Sequence, residues 1–97
     1  MADLGFEWDV SKAATNARRH GVTFEEAATV FSDDAALLIS DPDHSDDEDR
    51  FIILGLSAAL RILVVVHCSR GGEDIIRLIS ARKATRSERA QYDARGR

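Results

Sequence analysis

The apolar residues of this 97-residue chain follow two different spacings. In the first third, four apolar residues share one face of a helix at i, i+3, i+4 and i+7: Phe24, Ala27, Ala28 and Phe31. In the second half, short apolar runs alternate with clusters of turn residues, which is typical of strands. The change of period therefore predicts helices first and a sheet afterwards.

Residues that favour helix ends bound the first predicted helix. Asp9 or Ser11 can serve as its N-cap, because a short polar side chain there accepts a bond from a free backbone N–H. The helix is predicted to run to about His20. Gly21 then suits the left-handed conformation that often follows a helix.

Two further helix starts carry capping-box spacing. Thr23 precedes Glu26 by three residues, and Thr85 precedes Glu88 by the same interval. The helix after Thr85 is poor in large apolar residues, so it buries little by itself. We expect it to lie over a site or against a partner.

The remaining apolar runs predict an antiparallel sheet of about four strands, at 36–40, 51–56, 62–67 and 75–81. The connectors between the last three are short, which implies antiparallel neighbours. The run 62–66 is apolar at every position and predicts a central strand. Phe6 and Trp8 alternate with acidic residues, which indicates a short strand or an extended lead-in to the first helix. The fold class is α+β, with 1–97 as a single domain.

Charge is distributed unevenly along the chain, whose net value is −4. Residues 1–50 hold 13 acidic against 4 basic side chains, and residues 51–97 hold 4 against 9. All but one of the basic residues in the second half are Arg, whose planar fork fits phosphate and carboxylate. Two interpretations remain open: a surface that binds a polyanion, or two halves that neutralise each other.

Several classes of protein are disfavoured. No apolar run is long enough to span a bilayer, and residues 1–9 carry no secretion signal, so a cytoplasmic protein is expected. The single Cys68 cannot form an internal disulfide and is best interpreted as a buried apolar residue. The acidic stretch 41–49 fails the calcium-loop pattern, because Asp46 stands where Gly is needed and Ile52 where Glu is needed.

Candidate chemistry concentrates between residues 77 and 92, in RLISARKATRSERAQY. Arg82, Lys83 and Arg86 lie where a strand leads into the last helix, and the free N–H groups of a helix start favour an anion. Alternation places Arg61 and His67 on one face of their strand. It places Arg82 on the face of Ser80, Leu78 and Ile76, with Arg77 opposite.

Groups that could transfer a proton each have a simpler interpretation. His67 has a suitable ordinary pKa but could merely end a strand. Glu88 could act only as the capping partner of Thr85. Glu48 lies in the acidic stretch, which is best interpreted as a solvated loop. Tyr92 could stack on a base or cover the sheet equally well.

Lys12 and His20 are eight residues apart and lie on roughly one side of the first helix. The simpler interpretation is preferred for both. Lys12 is then an exposed side chain, and His20 is favoured by the negative end of the helix dipole.

Five segments together resemble the BrnT toxins of bacterial type II toxin–antitoxin systems. They cover nearly the whole chain in order: FEWDVSKAATNARRHGVTFEEAATVF, DPDHSDDEDRF, ILGLS, RILVVVHCSR and RLISARKATRSERAQY. One departure is Val10, where the family usually has Pro at the first helical position.

The resemblance implies a RelE-like fold and a toxin that cleaves RNA without a metal or other cofactor and arrests translation. It also implies a BrnA-like antitoxin partner, which carries the DNA-binding segment through which the complex reaches operator DNA. We assign catalytic roles to Arg61, His67, Arg82 and Glu88. Of these, Arg61 and Arg82 are predicted to hold the phosphate, with Arg86 or Arg89 assisting. RNA-binding roles go to four residues: Lys83, Arg86, Arg89 and Tyr92. The alternative is a protein-binding module that sequesters an antitoxin and co-represses its operon with little catalysis.

Overall fold

The computed structural model describes residues 4–40, 50–70 and 74–95. Its elements are β1 (Gly5–Glu7), α1 (Val10–His20), α2 (Phe24–Thr29), a 3₁₀ turn (Val30–Ser32), β2 (Leu37–Ser40), β3 (Arg50–Leu56), β4 (Ile62–Arg70), β5 (Ile75–Lys83) and α3 (Arg86–Arg95). Two internal parts of the chain lie outside the described residues: the acidic stretch 41–49, including Glu48, and residues 71–73, where the sequence predicts a turn. None of the described helices has the length and apolar character needed to cross a membrane.

The strands form one five-stranded sheet in the order β1-β5-β4-β3-β2. The prediction that the run 62–66 forms a central strand is confirmed, because β4 lies in the middle of this order. The prediction of about four antiparallel strands is wrong in one respect: β1 adds a fifth strand that pairs in parallel with β5. Three residues whose partner lies about 70 positions away give too weak a local pattern to identify a parallel edge strand.

The face of the sheet that α1 and α2 cover carries the main core. We call it the helix-covered face, to distinguish it from the face under α3. Phe24 of α2 is buried and meets Trp8 edge-on, with ring centroids 5.8 Å apart. Leu63 and Val65 of β4 lie beneath them and are fully buried. Burial of such side chains supplies about 2 kcal/mol each, so this face anchors the sheet.

The opposite face carries a smaller cluster under α3. Leu54, Val64 and Ala84 are buried there, and Tyr92 of α3 packs against them. No residue of α3 itself is buried. The expectation that the last helix buries little is therefore confirmed.

A bulge in the β4–β5 ladder changes which side chains share a face. Val66 pairs with Ser80, but His67 pairs with Leu78, so Ile79 is the extra residue. Arg82 pairs with Val64 and faces α3, whereas Leu78 belongs to the core on the helix-covered face. The prediction that Arg82 shares a face with Leu78 and Ile76 is wrong, because strict alternation fails across a bulge.

The helix boundaries agree with the predicted caps except in one detail. Asp9 caps α1 by accepting from the N–H of Lys12 at 3.0 Å, and Gly21 has φ 69°. Thr23 accepts from the N–H of Glu26 at 3.0 Å. The predicted reciprocal bond is replaced, because the Glu26 carboxylate points to Arg61 and Ser57 instead.

Candidate functional site

Arg61 lies just before β4 and points toward α2. Its Nε donates to Glu26 Oε2 at 2.9 Å, and its Nη2 donates to Glu26 Oε1 and, at 3.1 Å, to the Gly21 carbonyl. The Arg61 guanidinium is the main reason that the pKa of Glu26 is held below its usual range. Within the described residues Nη1 makes no hydrogen bond, so one edge of the guanidinium stays available to a ligand.

The turn before Arg61 is held by the same carboxylate. Ser57 donates its hydroxyl to Glu26 Oε2 at 2.7 Å and accepts from the N–H groups of Ala59 and Arg61. Leu60 takes a left-handed φ of 63°, which is unusual for a branched side chain. The bonds through Ser57 and Glu26 therefore fix the position of Arg61 from two sides.

Arg82 makes a second two-point ion pair, with Glu88. Its Nη1 and Nη2 donate to Oε1 and Oε2 at 2.8 and 2.9 Å. Glu88 also accepts from the N–H of Thr85 at 2.8 Å, and its own N–H donates to the Thr85 hydroxyl at 3.2 Å. The capping box predicted at the start of α3 is confirmed, with Arg82 bound to its carboxylate.

The electrostatics of this pair disfavour proton transfer by Glu88. The Arg82 guanidinium, with the Thr85 bonds, lowers the pKa of Glu88 to about 2. A carboxylate with that pKa is ionised near neutral pH and is a poor proton donor or acceptor there. The arrangement favours the capping interpretation over the catalytic one.

Arg61 and Arg82 project from opposite faces of the sheet. Arg61 contacts α2 on the helix-covered face, whereas Arg82 contacts α3 on the other face. Each is already bound to a carboxylate. The two predicted phosphate ligands can therefore meet one phosphate only at the rim, where the strands end.

That rim contains a cleft of about 290 Å³, lined by three cations and four apolar residues: Arg61, Lys83, Arg89, Leu56, Leu60, Ile62 and Ala84. We call it the rim cleft. Lys83 pairs with Leu63 and so lies on the same face as Arg61. Arg89 donates to the Ala84 carbonyl at 3.2 Å. No acidic side chain lines the cleft among the described residues, so it favours an anion.

His67 lies inside β4 and is buried. Its ring meets Phe31 edge-on at 4.7 Å, and Nδ1 lies 3.3 Å from the Val65 carbonyl oxygen. Burial lowers the pKa of His67. The ring is packed into the core, six residues along the strand from Arg61, and this placement favours a structural role.

Tyr92 covers the sheet face under α3. Its hydroxyl donates to Asp33 Oδ2 at 2.6 Å, and Asp33 also accepts from the N–H groups of Ala35 and Leu56. The hydrogen bond to Asp33 is the largest cause that raises the pKa of Tyr92 to about 12. Asp33 thereby ties α3 to the β2–β3 side of the sheet, a link that the sequence alone did not indicate.

The other predicted or basic residues of this region differ in their surroundings. Arg86 is exposed at the first position of α3. Arg77 pairs with Glu7 at 3.2 Å, across the β1–β5 ladder. Arg77 therefore joins the edge strand to the sheet, away from the rim cleft.

Asn16 is a further residue that sequence reasoning missed. Its Nδ2 donates to the carbonyls of Val22 and Ala81, both at 2.9 Å, and its Oδ1 accepts from the N–H of Ala81 at 3.1 Å. The side chain takes the place of a neighbouring strand where β1 no longer covers β5. Its polar character on a helix face was the available signal, because a buried amide needs partners.

Lys12 and His20 line one groove between α1 and β5. Its lining also includes Ser11, Thr15, Asn16, Arg19, Ile79 and Ser80, and its volume is about 280 Å³. We call it the α1–β5 groove. The expectation that Lys12 and His20 lie on one side of the helix is confirmed.

Comparison with known proteins agrees with this fold. A crystal structure of the Brucella abortus ribonuclease toxin BrnT matches with a TM-score of 0.66 and 24% identity, covering 86% of this chain and 99% of that chain. No curated protein matches the chain. The family model described as "Ribonuclease toxin, BrnT, of type II toxin-antitoxin system" matches residues 8–88. The chain belongs to this family of ribonuclease toxins, whose members act with an antitoxin partner.

Proposed function

We propose that the protein is a metal-independent endoribonuclease that cleaves RNA at the rim cleft. The observation that carries this proposal is the meeting of Arg61, Lys83 and Arg89 at the ends of β4 and β5, beside the start of α3. A phosphodiester is the anion that a ribonuclease must hold, and fixed cations stabilise it most strongly when extra charge develops.

Cleavage without a metal uses the RNA's own 2′-hydroxyl. The 2′-oxygen forms a bond to the adjacent phosphorus while the bond to the 5′-oxygen of the next nucleotide breaks. The 2′ proton leaves to a water molecule, and the departing 5′-oxygen takes up a proton from water. In this scheme Arg61, Lys83 and Arg89 stabilise the five-coordinate phosphate, and Arg86 and Tyr92 contact the flanking RNA.

Arg82 acts in this proposal through α3. Its ion pair with Glu88 holds the first turn of the helix, and that turn presents Arg89 to the cleft. Arg82 and Glu88 are then positioning residues. Within the described residues, Lys83 and Arg89 form no hydrogen-bonded ion pair with a carboxylate, although Glu26 interacts electrostatically with Lys83 at longer range, so both side chains can contact RNA.

The test is RNA cleavage by purified protein in the presence of EDTA. Wild-type protein should cleave, and Lys83→Ala and Arg89→Ala should each lower the rate by about 10²-fold, as expected for loss of one preorganised charge. Arg95→Ala is the matched control, because Arg95 is exposed on the last turn of the same helix, outside the cleft. It should leave the rate unchanged.

Activity that EDTA abolishes would refute metal independence. Full activity in folded Lys83→Ala and Arg89→Ala variants would refute the rim cleft as the site. If the wild type cleaves only when ribosomes are added, the same variants measured with ribosomes decide the assignment.

The cellular role follows from the family. We propose that RNA cleavage arrests translation in the cytoplasm, that a BrnA-like antitoxin neutralises the toxin, and that the complex reaches operator DNA only through the antitoxin. The helix and strand order also supports a RelE-like fold. Growth arrest on expression, relieved by co-expression of the antitoxin, is the corresponding cellular test.

A further inference from the structure

The α1–β5 groove gathers basic side chains that the rim cleft does not use. Lys12, Arg19 and His20 line it from α1, and its other lining residues include Ser11, Thr15 and Ser80. No carboxylate lines the groove among the described residues. Cationic groups interspersed with hydroxyl donors are the side chains that contact nucleic-acid phosphates.

Lys12 occupies a position that helix stability disfavours. It lies in the first turn of α1, where the dipole favours negative charge, and that turn contains no acidic residue. Arg18, Arg19 and His20 in the last turn suit the dipole, but Lys12 does not. The N-cap carboxylate of Asp9 interacts with Lys12 and offsets part of this cost, and the Lys12 side chain remains exposed at the groove.

The charge of α1 also contrasts with the sequence around it. Residues 1–50 hold 13 acidic side chains, yet the helix Val10–His20 contains none. Three of the four Lys and Arg residues of that half lie on this one helix: Lys12, Arg18 and Arg19. The acidic first half of the sequence thus contains one helix with a basic surface.

Asn16 makes the groove rigid. Its three bonds, to the Val22 carbonyl and to both main-chain groups of Ala81, fix the distance between α1 and β5. Because the backbone that carries Lys12 and Arg19 is already fixed, binding needs to order only their side chains, which favours affinity.

We propose that the α1–β5 groove binds the phosphodiester backbone of RNA, as a subsite distinct from the rim cleft. The proposal rests on the proposed ribonuclease function and extends the RNA contact along β5. Lys12 and Arg19 neutralise phosphates, and His20 and the hydroxyl groups donate hydrogen bonds. Among the described residues, Ile79 is the single large apolar residue that lines the groove, whereas a protein partner would need a buried apolar or aromatic anchor.

The test measures binding without cleavage. The probe is a short, fluorescently labelled 2′-O-methyl RNA, which lacks the attacking hydroxyl group. We expect Lys12→Ala/Arg19→Ala to weaken binding by about tenfold or more, and to lower the salt slope by about two units, one for each lost phosphate contact. The matched control is Arg18→Ala/Arg95→Ala, which removes the same charge from exposed positions outside both sites.

If both double variants lose the same RNA affinity, the loss comes from the change in net charge alone, and the proposal is overturned. So would a wild type that does not bind the probe, or a groove variant that keeps RNA affinity but loses the antitoxin. Failure of the proposed function appears elsewhere: wild-type protein that binds the probe through the groove but cleaves no RNA, with or without ribosomes, would refute the ribonuclease assignment alone.

Discussion

The two faces of the sheet are held in different ways. Under α1 and α2 the contacts are mainly apolar, and Leu63 is fully buried among them. Under α3 the apolar cluster is smaller, and the helix is attached largely by the Arg82–Glu88 ion pair and the Tyr92–Asp33 hydrogen bond. One face is stabilised by burial, and the other by a few polar bonds at defined points.

This difference bears on the proposed site, because the residues of the rim cleft are attached to both faces of the sheet. Arg61 is held by its ion pair with Glu26 of α2, whereas Arg89 belongs to α3. Elements with few buried apolar contacts open at lower free energy than the core. We therefore expect α3 to loosen before the rest of the molecule, and to carry Arg89 with it.

The largest expected effect is a difference in the free energy of unfolding when the same substitution, Leu to Ala, is made under each face. Leu63→Ala removes a side chain of 0% exposure beneath α2, and Leu54→Ala removes one of 6% exposure beneath α3. We expect Leu63→Ala to lower the free energy of unfolding by about 4 kcal/mol and Leu54→Ala by about 2 kcal/mol, because α3 can settle into the space. Urea unfolding of both variants measures this difference. Equal losses would show that α3 packs as rigidly as the other helices.

A smaller effect tests the polar support of α3 through pH. Glu88→Gln keeps an acceptor for the N–H of Thr85 but removes the charge that Arg82 binds. The pKa of Glu88 in the folded protein, about 2, lies below its ordinary value of 4.5. The stabilisation is therefore fully present above pH 4.5 and is lost as the pH falls toward 2.

Because the pair is partly solvated, we expect Glu88→Gln to cost only about 1 kcal/mol at neutral pH. The difference from wild type should shrink steadily as the pH falls from 4.5 through 2, as followed by urea unfolding across the acid range. Arg82→Gln should remove the same pH dependence. A difference that persists undiminished at low pH would show that the charge is not its cause.

The smallest effect concerns the second attachment of α3. Tyr92 is the single tyrosine of the chain, so phenolate absorbance reports on it alone. Its titration should have a midpoint near 12, and Asp33→Asn should move that midpoint toward 10. Since the folded pKa is raised, the stabilisation is present below pH 10 and is lost as the pH rises through 12.

Tyr92→Phe should lower the free energy of unfolding by about 0.5–1 kcal/mol at neutral pH, through loss of one hydrogen bond. A midpoint near 10 in the wild type would mean that the bond to Asp33 does not form in solution. The Arg82–Glu88 ion pair would then be the one polar attachment of α3 on which the contrast between the two faces depends.

Local signals were sufficient for the element order and most of the caps. Asp9, Gly21 and the Thr85–Glu88 box were identified correctly, because capping depends on residues within one helical turn. In the Thr23–Glu26 box only the bond accepted by Thr23 forms, because the Glu26 carboxylate has a distant partner. A carboxylate free to cap locally bound a guanidinium 35 residues away instead.

The candidate site was predicted less well than the fold. The sequence identified the β5–α3 junction as the basic region, and Lys83 and Arg89 do line a cleft there with Arg61. It grouped Arg61 with Arg82, because alternation along separate strands does not reveal which helix each face meets. The catalytic role of His67 stays a prediction. Its burial against Phe31 could not be predicted from the sequence, because that contact depends on how the 3₁₀ turn packs.

The sequence by itself determined the α+β order, the central strand β4 and, through its motifs, the family. These depend on periodicity and on short-range patterns that one segment carries alone. Only the tertiary structure decided the parallel pairing of β1, the bulge at Ile79, and the carboxylates that bind Arg61 and Arg82. Most of those features join residues that are distant in sequence or depend on how strands pair. The Arg82–Glu88 pair spans only six residues, but it forms only when the end of β5 and the start of α3 take their places in the fold. In each case the energy arises only when packing brings the partners together.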